Sequence, residues 1–291
     1  MDTSIGELRM ATDLGVFGPD RLDDLDAWFR ANGFVILRGL LSAVEVDALE
    51  AECARAQVDL VAGRLPGRFG TSILIEGDAG EKATRFANYV THITELSPTA
   101  RAAASHPLVV GLMQRWLGAG CWLMDDVRFG VMYQDARPGR ESSYTRIGWH
   151  SDWQSGPHLR IFPSVAFTFH IDATSPDNGF LRVVPGSHRW ATPAPYDNIN
   201  GIPVPEGADP AGGWGDEAPP VPMPLAFGKV PGEVAVYTER GDVIFHDSYL
   251  WHSAARATDD GARRRHVRGA YHTGEHLSED GFETFVKNAA R

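Results

Sequence analysis

The sequence predicts a mainly β protein with flanking α-helices: a sandwich or barrel of short strands onto which a helical first part packs. Three observations carry this. Up to about residue 120 the apolar residues recur every three or four positions, the helical period. From about residue 121 the pattern changes to brief apolar runs split by turn residues, as in many-stranded sandwiches and barrels. The 291 residues, 43% of them hydrophobic, suffice for one large core, and no repeat or linker divides them. The chain is therefore read as one domain, 1–291, with a mostly helical part, 1–120, packed on a β core, 121–275.

The elements follow in order. The first 18 residues read as a loose arm, without the basic start and apolar stretch of a signal peptide. Pro19-Asp20 opens a helix with Leu22, Leu25, Trp28 and Phe29 on one face, closed by Asn32-Gly33. FVILRG (34–39) is a short buried strand. Ser42 and Glu45 form a capping-box pattern ahead of an amphipathic helix ending near Gly63. A Gly-rich loop, 63–80, precedes a helical region at 98–118. Strand-like runs follow at 121–133, 164–172, 179–186, 232–247 and 264–272. The Pro- and Gly-dense stretch 191–231 has no periodicity and reads as a lid-like insertion.

Composition excludes several classes. A net charge of −11 argues against a nucleic-acid or anionic-membrane surface. No apolar run approaches the ~20 residues of a membrane span. Cys53 and Cys121 have no metal-like spacing and suit a reduced, cytoplasmic setting. The expected partner is a small molecule, with neither nucleic acid nor membrane, for a monomer or homodimer.

The chemistry starts at WHSDW (149–153). In extended chain, residues two apart face the same side, so His150 and Asp152 project together. An imidazole beside a carboxylate is half of a metal site; a third ligand completes the 2-His-1-carboxylate set, which leaves positions open on an octahedral iron. Alone, such a pair is more often a chance surface turn. The third ligand is sought in GDVIFHDSYLWHSAAR, where His252 and His246 compete and spacing cannot choose. Further on, Arg263, Arg264 and Arg265 follow the turn Asp259-Asp260-Gly261, and a guanidinium there suits a bidentate grip on a carboxylate.

The sequence resembles the phytanoyl-CoA dioxygenase family of iron(II)- and 2-oxoglutarate-dependent oxygenases over most of its length. FRANGFVILRGLLSAVEVDAL (29–49), WHSD, IDATSPDNGFLRVVPGSHRW (171–190) and GDVIFHDSYLWHSA (241–254) carry the likeness. The resemblance implies a double-stranded β-helix (jelly-roll, cupin-like) core and iron held by His150, Asp152 and His252. It implies 2-oxoglutarate on the iron, reaching an arginine near the start of the last core strand, with O2 as the other co-substrate. Counting from the distal histidine points to Arg263, while alignment on Tyr271 points to Arg264. Turns absorb an extra residue better than strands do, which favours Arg264. Asn178-Gly179 agrees with the family pattern, placing Asn178 near the co-substrate. The implied reaction converts 2-oxoglutarate and O2 to succinate and CO2 and hydroxylates an unactivated C–H bond. Halogenating members carry a small residue in place of the carboxylate, so Asp152 argues for hydroxylation, or another O2-derived oxidation, over halogenation.

The substrate is less legible. Trp149, Trp153, Trp251, Phe167 and Phe169 are candidate pocket walls, although each aromatic is more often core. Arg68, Arg85, Arg146 and Arg160 are candidate receivers of an anion, although such residues usually sit on a solvated face. Arg182 is a pocket candidate and His188 reads as structural. A free or N-modified amino acid, or a specialised metabolite, fits better than an acyl-CoA, for whose phosphates no basic cluster is apparent.

Overall fold

A computed structural model of the chain describes residues 14–73, 84–86, 89–127, 130–136, 148–155, 161–190, 192, 198–199, 202–203, 217–224, 228–259 and 261–278. Helix α1 (Leu22–Asn32) ends where Gly33 turns left-handed at φ 77° and donates to Phe29 O. A Cβ on Gly33 would lie 2.5 Å from His188 Nδ1, so the glycine also makes room for that buried ring. Strand β2 (Phe34–Leu37) follows. Helix α2 (Ala43–Val61) starts at the expected capping box, with Ser42 and Glu45 bonded reciprocally. The helical region near 98–118 is two helices, α4 (Pro98–Ala104) and α5 (Pro107–Leu117), preceded by a single turn, α3 (Ile93–Leu96). Pro107 separates α4 from α5, because the residue before a proline leaves the helical region.

The β part is a double-stranded β-helix. Its large sheet runs β1 (Val16–Phe17), β2, β13 (Val243–Asp247), β8 (Ser164–His170), β15 (Arg264–His272), β7 (Met132–Ala136) and β5 (Tyr89–Val90), with β6 (Trp122–Leu123) also on β15. A smaller sheet faces it, in the order β12 (Val234–Val236), β9 (Leu181–Val183), β14 (His252–Ala254), and two strand pairs stand apart, β3 (Thr71–Ile73) with β4 (Thr84–Phe86) and β10 (Asn198–Ile199) with β11 (Ile202–Pro203).

Two expectations change. The loose arm contains β1, which pairs in parallel with β2, so order begins earlier than the composition suggests. The run 121–133 is two strands, not one. Both β6 and β7 pair with β15, and between them Gly130 passes so close to Met124 that a Cβ would lie 2.3 Å from its carbonyl oxygen. Among the described residues no helix is long and apolar enough to cross a membrane.

Strand alternation divides the large sheet's side chains between two environments. Val35, Leu37, Val165, Phe167, Phe169, Val243, Phe245, Val267 and Tyr271 turn outward and bury against the helices through Leu25, Phe29, Leu49, Leu112 and Trp116. Phe34, Ile36 and Ile244 turn inward and meet Val183 and Val236 of the small sheet, forming a second apolar cluster at one end of the roll. At the other end the inward side chains are polar.

Candidate metal centre

The polar end is assembled by backbone pairing. Antiparallel pairing with β9 places His252, Ser253 and Ala254 opposite Val183, Arg182 and Leu181. Two bonds hold the start of β14: Ser187 Oγ accepts from Trp251 N–H at 2.8 Å, and Trp251 O accepts from Val184 N–H at 3.0 Å. The turn leading there from β13 is closed by Asp247, whose carboxylate accepts from Tyr249 N–H at 2.8 Å. On the far side of β14, His150 and His252 form an antiparallel bridge. Directly after it the chain turns into a 3-10 segment, Asp152–Ser155, which folds the carboxylate back toward both rings.

His150, Asp152 and His252 offer one ligand atom each, all within 4.8 Å of one another, the one such group among the described residues. Asp152 Oδ1 lies 3.7 Å from His150 Nε2 and 3.5 Å from His252 Nε2. Each imidazole donates from Nδ1 to the carbonyl two residues earlier, His150 to Gly148 at 2.8 Å and His252 to Leu250 at 2.9 Å. A carbonyl can only accept, so both rings carry the proton on Nδ1 and turn a bare Nε2 inward, the tautomer a metal requires. Burial holds the His150 imidazole below its ordinary pKa, aided by His252. Against the cost of burial, the two neighbouring imidazoles hold the Asp152 carboxyl well below the usual carboxylate range, and the carboxylate raises His252. Two nitrogens and one oxygen on one side of an enclosed point form a facial donor set suited to a divalent first-row metal.

His246, the competing ligand, lies beside this set, its Nδ1 3.8 Å from Asp152 Oδ2 and its ring centroid 4.5 Å from that of His252. Burial pushes its pKa down to about 4, and Nδ1 has no hydrogen-bond partner.

The three arginines of β15 and its approach part company. Arg263 donates from Nε and NH2 to the buried Asp135 carboxylate at 3.0 and 2.6 Å. Arg265 is held by Asp172 and Glu50. Arg264 turns inward and is 6% exposed, and its side chain has no hydrogen bond or ion pair with any described residue. It shares the inner face with His170 and His266, whose Nδ1 atoms are buried without partners, as is Gln134 Nε2. Burial pushes the His170 imidazole down to about 3, with the Arg264 charge acting in the same direction. The lower end of the roll is thus a polar chamber in which Arg264 is unpaired among the described residues, with unused polar atoms around it.

Other candidates move out of the site. Phe167 and Phe169 face the helices, and Phe167 occupies the space left by Gly269, where a Cβ would lie 2.6 Å from its ring. Trp149 and Trp251 sit back to back with the two ligand histidines, packed with Val184, Met223 and Val230. Their indole N–H groups donate to Gly228 O at 2.7 Å and Thr192 Oγ1 at 2.6 Å. They anchor the described ends of the 191–231 stretch rather than walling the pocket, while its remainder lies outside the described residues. Trp153 is buried next to Asp152 and packs on Tyr249 at 5.9 Å. Asn178 closes a turn, accepting from Ser175 N–H and donating to Ala173 O at 2.7 Å and Arg263 O at 3.2 Å. Its amide is used up there, so it positions the start of β15 and does not face the chamber. Arg182 is paired with Glu233, and Arg68 is an exposed partner of Glu95. His188 is structural, meeting Arg30 O at 3.1 Å. The Arg85 side chain, Arg146 and Arg160 lie outside the described residues. Sequence reading passed over His170 and Gln134; the inward register of β7, β8 and β15 brings them to Arg264.

A jelly roll that gathers two imidazoles and a carboxylate on its inner face is the scaffold of a non-haem metal oxygenase. The model of the family "Phytanoyl-CoA dioxygenase (PhyH)" matches residues 29–266, and the chain belongs to that family. A similar curated protein is the ectoine dioxygenase of Nocardia farcinica, 29% identical over 169 residues, which cover 57% of this chain and 50% of the relative. The chain thus matches about half the length of that relative. Among solved structures, the epimerase SnoN in complex with Fe3+, α-ketoglutarate and nogalamycin RO has a TM-score of 0.60 at 20% identity, covering 92% of this chain and 90% of that one. EctD from S. alaskensis with bound Fe has a TM-score of 0.59 at 18% identity, covering 88% and 79%. At these identities the likeness shows the fold.

Proposed function

We propose that the protein is an iron(II)- and 2-oxoglutarate-dependent dioxygenase that hydroxylates an unactivated C–H bond of a small molecule, a free or N-modified amino acid or a specialised metabolite. Supporting this reading, His150, Asp152 and His252 suit iron by donor chemistry: two bare Nε2 atoms, one ionised carboxylate, and three positions left for other ligands. When bound, iron with 2-oxoglutarate and O2 supplies the oxidising power, releasing succinate and CO2.

The observation that carries the co-substrate is Arg264. A buried guanidinium without a counter-charge is costly unless a ligand completes it, and a dicarboxylate brings its distal carboxylate there. Gln134 and His170 offer unused donor capacity around the same point. Arg263 is already spent on Asp135 and serves the fold. The chain's own work is then to hold 2-oxoglutarate at both ends, keep bulk water from the chamber, and present one C–H bond to the open side of the triad. Asp152 fills the position that a halide would otherwise take, which favours hydroxylation.

The test is anaerobic titration of the iron(II)-loaded protein with 2-oxoglutarate, followed by O2 and a metabolite extract. Succinate formation coupled to a product one oxygen heavier is expected. Turnover independent of 2-oxoglutarate would make this a cupin-like metalloenzyme. Retention of a small molecule without turnover would make it a binding protein. A product isomeric with its substrate would replace hydroxylation by an epimerase outcome.

A further inference from the structure

Arg264 is one of two inward guanidinium groups on β15. Arg268 stands four residues on, between Met132 of β7 and Thr168 of β8. Four residues of strand span about 13 Å, which carries Arg268 from the foot of the chamber up toward the triad. The register continues across the sheet, with Thr168 opposing Ile244 of β13, two residues before His246. The Arg268 Nε is buried with no hydrogen-bond partner, and no described carboxylate pairs with it. The guanidinium carbon lies 5.9 Å from the centre of the Tyr89 ring.

Arg263, Arg265, Arg182 and Arg240, on the outer side of the roll or its rim, each hold at least one carboxylate at 3.0 Å or less. The inward-facing pair, Arg264 and Arg268, hold none.

Charge accounting separates the roles of the two. With the co-substrate in place, two positive charges on iron(II) and one on Arg264 meet one negative charge on Asp152 and two on 2-oxoglutarate. The imidazoles beside Arg264 add nothing, since burial holds His170 and His266 neutral. The site is therefore balanced without Arg268, whose charge is left over on the inner face of β15. A half-buried guanidinium whose Nε is sealed from water without a partner suits an anion. A planar fork of donors suits a carboxylate best.

We propose that Arg268 anchors the substrate and that the substrate is a small carboxylic acid, its carboxylate held by Arg268 while a C–H bond a few atoms away faces the metal. This rests on the iron and 2-oxoglutarate reading above and narrows it to an anionic substrate class.

The experiment uses the full chain loaded with Mn(II), which is paramagnetic, and saturated with 2-oxoglutarate. Acetate serves as the probe and acetamide as its neutral twin. Proton relaxation of each methyl group reports residence near the metal. The wild type is expected to relax acetate faster than acetamide by about fivefold or more. Arg268→Met abolishes the difference and Arg268→Lys keeps part of it; Arg268→Gln stands in for Met where that variant does not fold. In the same samples Arg264→Met weakens 2-oxoglutarate binding by about tenfold or more, whereas Arg268→Met changes it by about twofold or less. Equal relaxation of acetate and acetamide by the wild type, or an acetate excess that survives Arg268→Met, overturns the proposal. So does a loss of 2-oxoglutarate affinity in Arg268→Met as large as that in Arg264→Met, which would assign the guanidinium to the co-substrate. Failure of the wild type to bind Mn(II) or 2-oxoglutarate appears before any acetate is added and brings down the parent reading instead.

Discussion

His150 and His252 are backbone partners: His150 N–H donates to His252 O at 3.1 Å and His252 N–H returns a bond to His150 O at 2.9 Å. Directly opposed residues in an antiparallel pair present their side chains on the same face, and the two ring centroids lie 4.1 Å apart. The distance between the two nitrogen ligands is thus set by main-chain hydrogen bonds. Alanine at either position keeps the bridge and removes one donor, so fold and metal binding separate. His150→Ala, Asp152→Ala and His252→Ala are each expected to lose stoichiometric iron while keeping a native circular dichroism spectrum. His246→Ala touches the set from outside, and a loss of about 10–100-fold in metal affinity is expected. Full iron in His252→Ala together with none in His246→Ala would move the third ligand to β13.

The neighbours Arg263 and Arg264 should fail in different ways. Arg264→Met is expected to weaken 2-oxoglutarate binding by about tenfold or more, with iron content kept. Arg263→Ala removes the guanidinium from the fully buried Asp135 carboxylate, which Gln57 also meets at 3.3 Å. The Arg263 side chain is 46% exposed, so solvent screens part of the pair, and the expected cost is about 1–3 kcal/mol of stability. Calorimetry for the ligand and urea unfolding for the fold give the two readouts. A stable Arg263→Ala that no longer binds 2-oxoglutarate would reverse the assignment.

Acid should unfold the apoprotein earlier than its carboxylates alone require. Burial pushes His170 down to about 3 and His188 down to about 4. A group whose folded pKa is depressed contributes stability above its unfolded pKa, near 6.5, and loses it as pH falls toward the folded value. For His188 alone, about 2.5 units at 1.36 kcal/mol each correspond to roughly 3 kcal/mol lost between pH ~6.5 and ~4. Urea midpoints are expected to drop steadily across that window, and less steeply in His188→Gln. Unchanged midpoints from pH 6.5 to 4.5 would contradict the burial of neutral imidazoles.

Local signals reached the structure where they act locally. The Ser42–Glu45 box, the Gly33 stop and the strand 264–272 need only neighbouring residues, and all three occur at the expected places. Two-residue alternation likewise puts Arg264, His266 and Arg268 on one side and Arg263 and Arg265 on the other from the sequence alone. It could not say which side was inside. That depends on α2, whose Glu50 and Gln57 meet Arg265 and Asp135 on the outer side, a tertiary contact with no trace in the strand's own pattern. Phe167 shows the same limit: an aromatic two residues from another reads equally as pocket or core, and it is Gly269 on the neighbouring strand that draws it to the helix side. Trp149 and Trp251 flank the ligands in sequence, and for that reason alternation turns them away from the metal.

Two glycine substitutions should move stability in opposite directions. Gly269 sits on β15 between Arg268 and Ala270, and a Cβ there would lie 2.6 Å from Phe167 Cζ and 2.9 Å from Val131 Cγ2. Both are buried side chains of the helix-side core, with no room to retreat, so Gly269→Ala is expected to cost about 1–3 kcal/mol as overpacking. Gly111 lies within α5, exposed, with nothing within 4 Å of its added methyl group. There alanine only restricts the unfolded chain and improves helix propensity, so Gly111→Ala is expected to stabilise by about 0.5–1 kcal/mol. The two sites share no neighbour, and the double variant should show the sum of the single effects within about 0.5 kcal/mol. Equilibrium urea denaturation of the four proteins reads all three values. A neutral Gly269→Ala would mean that Phe167 can move, and with it the strand that carries both inward arginines.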